Sequence, residues 1–176
     1  MKYYKRIYIA ICLALCLSGC FSNSRFIQNI ASRNESKYRQ ALSGDGRILA
    51  YLIEEDENKR IKVKDLRTGR LLRLRHLSRY QDPSSPSLSW HGRYIAIITQ
   101  IGGKRLAVIE DLIGGKFYRI PYYADANPIS LSLSPEAKML TIQFKSNQRS
   151  FLEFFDLTNT LKPDLLSGSS SINYSQ

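Results

Sequence analysis

An all-β fold made of three four-stranded antiparallel units is what the 176-residue sequence predicts, and three observations carry that reading. First, one segment recurs. ALSGDGRILAYLI at 41–53, SLSWHGRYIAIIT at 87–99 and SLSPEAKMLTIQF at 132–144 place Gly46, Gly92 and Ala137 in one slot, 46 and 45 residues apart. Second, the pairs Asp65-Leu66, Asp111-Leu112 and Asp156-Leu157 keep the same 46 and 45 spacing. Third, turn residues punctuate short apolar runs such as Ile48 to Ile53 and Tyr94 to Ile98, the pattern of strands buried on both faces.

Taken in order, residues 1–19 have the three parts of an export leader: the basic Lys2, Lys5 and Arg6, the apolar run Ile7 to Leu17, and the small Ser18 and Gly19 before Cys20. An eleven-residue run is too short to cross a hydrocarbon core, which takes about 20 residues. Leu17-Ser18-Gly19-Cys20 resembles the lipobox of bacterial lipoproteins. That resemblance implies cleavage before Cys20 and acylation of its thiol. Ordinary secretory cleavage beside a coincidental cysteine and an uncleaved anchor are the competing readings. In the resembling family an Asp after the cysteine retains the protein at the inner membrane. Phe21 stands there, which favours an outer-membrane destination.

Loss of the leader removes three basic residues and no acid, so the net charge falls from +11 to +8. It also discards Cys12 and Cys16 and leaves Cys20 alone, which excludes a disulfide or a multi-cysteine metal site within the mature chain. Acyl chains on Cys20 would hold the protein stably at a bilayer facing the periplasm. Residues 20–37 are polar with scattered apolar positions and are expected to form a partly helical tether that Ser24 could cap.

The domain proper is expected over 38–166, in repeats of about 38–80, 81–125 and 126–166. Within each, Ser43, Ser89 or Ser134 ends a first strand, and a tight turn follows. Gly46 and Gly92 suit a positive φ in that turn, and Ala137 suits it less well. The apolar second strand leads through a polar turn (Glu54 to Asn58, Gly102-Gly103, Ser146-Asn147) to a third strand ending at Asp-Leu. Thr68-Gly69 and Gly114-Gly115 then precede a fourth strand, at Arg70 to Arg75 or Lys116 to Ile120. Four strands in about 45 residues is the size of a propeller blade. The serine- and glycine-rich tail 167–176, with Ile172 and Tyr174, is expected to be loose, or alternatively to lend a closing strand to a neighbouring blade.

Ser43-Gly44-Asp45-Gly46 with Leu49-Ala50-Tyr51, Ser89-Trp90-His91-Gly92 with Ile95-Ala96-Ile97, and Ser134-Pro135-Glu136-Ala137 with Leu140-Thr141-Ile142 resemble the repeat of TolB-like propellers, roughly Ser-Pro-Asp-Gly-x-x-Ile-Ala-Phe. The resemblance covers about 38–157 and implies a partial TolB-like β-propeller. It speaks for the fold and not for a particular ligand. A full TolB has a separate N-terminal domain and six blades. Three blades do not close a ring, since propellers have about 4–8. A homodimer completing six blades, or a partner capping the stack, is therefore expected.

Residues 59–79 hold nine basic side chains against the single acid Asp65. Lys59, Arg60, Lys62, Lys64, Arg67, Arg70, Arg73 and Arg75 form the candidate contact to an anionic surface, lipid headgroups or an acidic envelope polymer. The bland alternative is a solvated face whose charges deter edge pairing. Nucleic acid is not an expected partner outside the cytoplasm. His76 and His91 have no carboxylate or cysteine at ligand spacing. His91 fills the turn slot held by Asp45, and Trp90 is expected to pack on a blade. Asp65, Asp111 and Asp156, recurring at equivalent positions, are expected to bond turn backbone, with calcium as the minority alternative. No Gly-x-Ser-x-Gly elbow is present. The sequence therefore reads as a non-enzymatic, cofactor-free envelope lipoprotein whose blades bind a protein or polymer. An accessory or structural lipoprotein associated with an envelope enzyme or with peptidoglycan is the alternative.

Overall fold

The computed structural model describes residues 38–122, 126–147 and 149–164. The leader, Cys20, the tether and the 167–176 tail lie outside the described residues. The chain forms three antiparallel sheets in succession. The first contains β1 (Tyr38–Leu42), β2 (Ile48–Glu55) and β3 (Asn58–Asp65). The second contains β4 (Gln81–Leu88), β5 (Tyr94–Ile101), β6 (Lys104–Asp111) and β7 (Phe117–Arg119). The third contains β8 (Asn127–Leu133), β9 (Met139–Ser146) and β10 (Arg149–Asp156). β1 contacts β4 and β4 contacts β8, so the first strands of the three sheets converge as the inner strands of neighbouring blades do.

The repeat survives as a repeat of hydrogen bonds. The Ser43, Ser89 and Ser134 hydroxyl oxygens accept from the amides of Ile48 (2.8 Å), Tyr94 (3.0 Å) and Met139 (3.0 Å). Leu66, Leu112 and Leu157 donate their amides to the carbonyls of Arg47, Arg93 and Lys138 at 2.7–2.8 Å. The shared turn slot is left-handed in all three units, with φ +72° at Gly46, +70° at Gly92 and +61° at Ala137. Alanine thus occupies a conformation that glycine holds without steric cost. The β2–β3 and β5–β6 hairpins each turn through two residues of positive φ, Asp56-Glu57 and Gly102-Gly103, as the twist of the flanking strands requires.

The core lies between sheets. Ala50, Leu52, Ile61 and Val63 of the first blade pack against Ile95, Ile97 and Val108 of the second. The second blade's Tyr94, Ala96, Ile98, Ala107 and Ile109 pack against Leu131, Leu140, Ile142 and Phe144 of the third. Successive residues of a strand point to opposite faces. A blade flanked on both sides therefore needs the unbroken apolar run that β5 shows, buried from Tyr94 to Thr99. Each such Ile, Leu or Phe contributes roughly 1.5–3 kcal/mol by leaving water.

The expected fourth strands are realised unevenly. In the second blade β7 forms within the expected Lys116 to Ile120. In the first, the stretch Arg70 to Arg75 is not a strand, and only an isolated bridge joins Lys64 to Leu71. The end of this stretch is held by the next blade. The buried Glu110 carboxylate accepts the amides of Arg75 (2.6 Å), His76 (3.2 Å) and Leu77 (2.9 Å). These amides are held on a carboxylate of the next blade, where the chain turns into a short 3-10 helix, Leu77–Arg79. In the third blade no fourth strand occurs among the described residues. Leu161 is buried there, and Asp164 returns to the second blade's turn.

Candidate functional site

The basic residues of the first blade divide by the geometry of the strand that carries them. In β3, Ile61 and Val63 face the second blade, so Arg60, Lys62 and Lys64 point to the opposite face, opposite Ile53, Tyr51 and Leu49 of β2. Lys62 pairs with Glu55 at 3.1 Å and Lys59 with Asp82 at 3.2 Å. Asp82 also holds Arg105 at 3.0 Å. Arg60 reaches the Ser78 carbonyl at 3.5 Å. Lys64, Arg67, Arg70, Arg73 and Arg75 have no ion pair among the described residues. Cys20, the other residue singled out by the sequence, lies outside them.

The run is therefore a group of distinct surfaces. Arg67 and Arg70 sit on the turn after β3, where Asp65 accepts the amides of Arg67 and Thr68. Arg73 and Arg75 belong instead to the segment pinned by Glu110, and the 3-10 turn brings His76 and Arg79 beside them. Together with Leu72, Leu112 and Gly115 these four line an open groove of about 720 Å³ between the first and second blades. The Arg75 guanidinium lies over Gly115, where any side chain would displace it. His76 Nε2 stands 3.0 Å from the Gly115 carbonyl, which fixes it as the donor, and its ring lies 5.2 Å from Phe117. Sequence reasoning set His76 aside as a lone histidine. The one available signal was its place inside the arginine run, but the partner, Gly115, is 39 residues away.

The repeated aspartates take the structural role expected of them. Asp65 Oδ1, Asp111 Oδ1 and Asp156 Oδ1 accept turn amides from Arg67 and Thr68, from Ile113 and Gly114, and from Thr158. The second oxygens of the first two hold Arg47 (3.1 Å) and Arg93 (3.0 Å). Burial pushes the Asp111 carboxyl up, but the Arg93 hydrogen bonds and then the turn amides outweigh it and hold the group below its ordinary range. Asp65 is lowered in the same way by Arg47 and its two amides.

His91 occupies the turn as expected. Its Nδ1 is 3.3 Å from Asp45 Oδ2, and its amide donates to Asp164 Oδ2 at 2.8 Å. The Ser43 hydroxyl donates to Asp45 Oδ1 at 2.6 Å, so it points to the carboxylate and not to an imidazole that could activate it. Trp90 packs over Gly44 of the first blade.

A different surface closes the opposite flank. Among the described residues β10 is an edge strand, and its Leu152 and Phe154 lie 58% and 68% exposed opposite Gln143 and Thr141, with Met139 beside them. This is the face of the third blade turned away from the second.

No family model and no curated protein matches the sequence. Solved structures do match the fold. A TolB-type protein from Agrobacterium tumefaciens superposes with a TM-score of 0.59 at 19% identity, over 72% of this chain and 47% of its own. TolB from Acinetobacter baumannii gives 0.58 at 19% identity, over 80% of this chain and 35% of its own. The β-propeller domain of the Trilobed protease from Pyrococcus furiosus, which has an open velcro topology, gives 0.53 at 15%, over 77% and 43%. The chain thus spans less than half the length of each of these structures.

Proposed function

We propose that this partial TolB-like propeller is a lipid-anchored scaffold of the cell envelope, tethered through Cys20 and binding a protein partner with the open flank of its third blade. The observation that supports binding most directly is the outer face of β9 and β10. Phe154, Leu152 and Met139 form an apolar surface beside an edge strand whose outer backbone groups can pair with another chain. In a closed propeller that face is where the adjoining blade packs. A second copy of the chain, completing a six-bladed ring, and a separate envelope or peptidoglycan-associated protein are the two occupants to distinguish. The lipobox resemblance of Leu17 to Cys20 supports the anchor, and the cationic first blade suits an anionic membrane face.

Two measurements test this reading. Labelled palmitate should enter the wild-type chain and not Cys20→Ala. A photo-crosslinker placed at Phe154 should yield a discrete adduct in intact envelopes, whose mass separates a second copy from another protein. The same probe at exposed Lys104, on the second blade, should yield less. Absence of palmitate in the wild type removes the anchor. Equal, diffuse crosslinking at both sites removes the docking face.

A further inference from the structure

We infer that the groove between the first and second blades binds a phosphate-bearing ligand, with the Arg73, Arg75 and Arg79 guanidiniums as its anion-holding forks and His76 at its wall. The inference rests on the fold alone and stands whether or not Cys20 is acylated.

Four features of the molecule carry it. The lining of the 720 Å³ groove contains three arginines and a histidine and no carboxylate. None of the three guanidiniums has an ion pair or a hydrogen bond among the described residues, whereas Arg47, Arg93 and Arg105 elsewhere each hold an aspartate. Three exposed cations gathered without a counter-ion repel one another, so a bound anion relieves the site as well as filling it.

The third feature is rigidity. The backbone amides of Arg75 and His76 are fixed on Glu110, which is 1% exposed and belongs to the neighbouring blade. The Glu110 oxygens thus bond backbone amides and do not line the groove. The loop it pins presents the arginines from a fixed backbone, which lowers the ordering cost of binding. The position of Arg75 over Gly115 and the bond from His76 to the Gly115 carbonyl tie the same loop to the turn after β6.

The fourth feature is chemical. All three charged forks are arginine, whose planar donors match the paired oxygens of phosphate better than an ammonium does. Leu72 and Leu112 add an apolar floor, which fits a phosphate ester with a carbon backbone. Such a phosphate could be carried by a membrane lipid headgroup or by a soluble ester, and both present the same oxygens to the groove.

The test uses the full chain in lipid nanodiscs and inorganic pyrophosphate as the probe, with binding read by calorimetry. Arg73→Gln/Arg75→Gln/Arg79→Gln should weaken binding by at least about tenfold, given the strength of charge-assisted hydrogen bonds. Lys104→Gln/Lys138→Gln/Arg149→Gln removes the same charge outside the groove and the first blade, and should change binding by less than about threefold, as screened distant charges do. Because all six residues are exposed, unfolding curves should coincide for the variants. In phosphatidylcholine discs, displacement of pyrophosphate by short-chain phosphatidylglycerol at a lower concentration than by glycerol 3-phosphate assigns the groove to a lipid-borne phosphate. Displacement by glycerol 3-phosphate at an equal or lower concentration assigns it to a soluble ester. Equal losses in the two triple variants, or no pyrophosphate binding by the wild type in phosphatidylcholine discs, would overturn the inference.

Discussion

The turn slot shared by Gly46, Gly92 and Ala137 offers a test in which one substitution has three different costs. Gly46→Ala meets a φ of +72° with nothing within 4 Å of the new methyl. Only the left-handed backbone opposes it, and the stiffer unfolded chain offsets part of that, leaving about 1 kcal/mol. Gly92→Ala meets the same backbone at φ +70°, but its methyl would fall 2.5 Å from Ile48 Cγ1 and 2.6 Å from Ile48 Cβ. Neither atom is the free end of a flexible side chain, so the two blades must separate, which adds about 1–3 kcal/mol of overpacking. Ala137→Gly runs the other way. It relieves the strain at φ +61° but loses a buried methyl, about 0.8 kcal/mol, and loosens the unfolded chain, so it should fall within about 1 kcal/mol of neutral. Urea unfolding followed by Trp90, the one tryptophan and itself packed on Gly44, reads the junction concerned. With a slope of about 1–3 kcal/mol per molar urea, Gly92→Ala should lower the midpoint by roughly 1 M more than Gly46→Ala. Ile48→Ala should rescue it only partly, because the Cβ overlap remains. Equal midpoints for the two glycine variants would refute the claim that the second blade's turn is wedged against the first blade's core.

Three further outcomes follow from individual contacts. Asp164→Ala removes the acceptor of the Ser89 hydroxyl (2.5 Å) and the His91 amide (2.8 Å), both inside the molecule, and should cost about 1–3 kcal/mol in urea; a variant as stable as wild type would show that this return segment does not brace the second blade. Glu110→Gln leaves the amides of Arg75, His76 and Leu77 facing one oxygen instead of two, and should cost about 1–3 kcal/mol and raise hydrogen exchange at 75–77 before the β5–β6 core. Because the folded Asp111 carboxyl titrates below its unfolded value of 3.8, its contribution is complete above that pH and is lost as the pH falls through the lower folded value. Asp111→Asn should therefore be less stable than wild type at pH 7 and show a shallower loss between about pH 4 and pH 2, and an unchanged acid profile would assign the loss to other carboxylates.

The sequence by itself determined the local design. Strand–turn periodicity, the positive-φ slots and the aspartates that hold their own turns depend on residues two to five apart, and the 45- and 46-residue spacing exposed them as repeats. A continuously apolar β5 was legible for the same reason, because a strand covered on both faces must be apolar at every position. What crosses between blades was not legible. Glu110 reads in sequence as one more polar residue before an Asp-Leu pair, yet it captures three amides 33 to 35 residues away, at and just after the end of the stretch expected to be the first blade's fourth strand. Asp164 supplies to Ser89, from 75 residues away, the carboxylate that His91 lacks in the slot of Asp45. The basic run looked like one patch, but strand alternation and the Glu110 pin divided it and brought His76 and Gly115 to its arginines. Such contacts join residues with no shared period, and only the stacking of one blade on the next decides which of them meet.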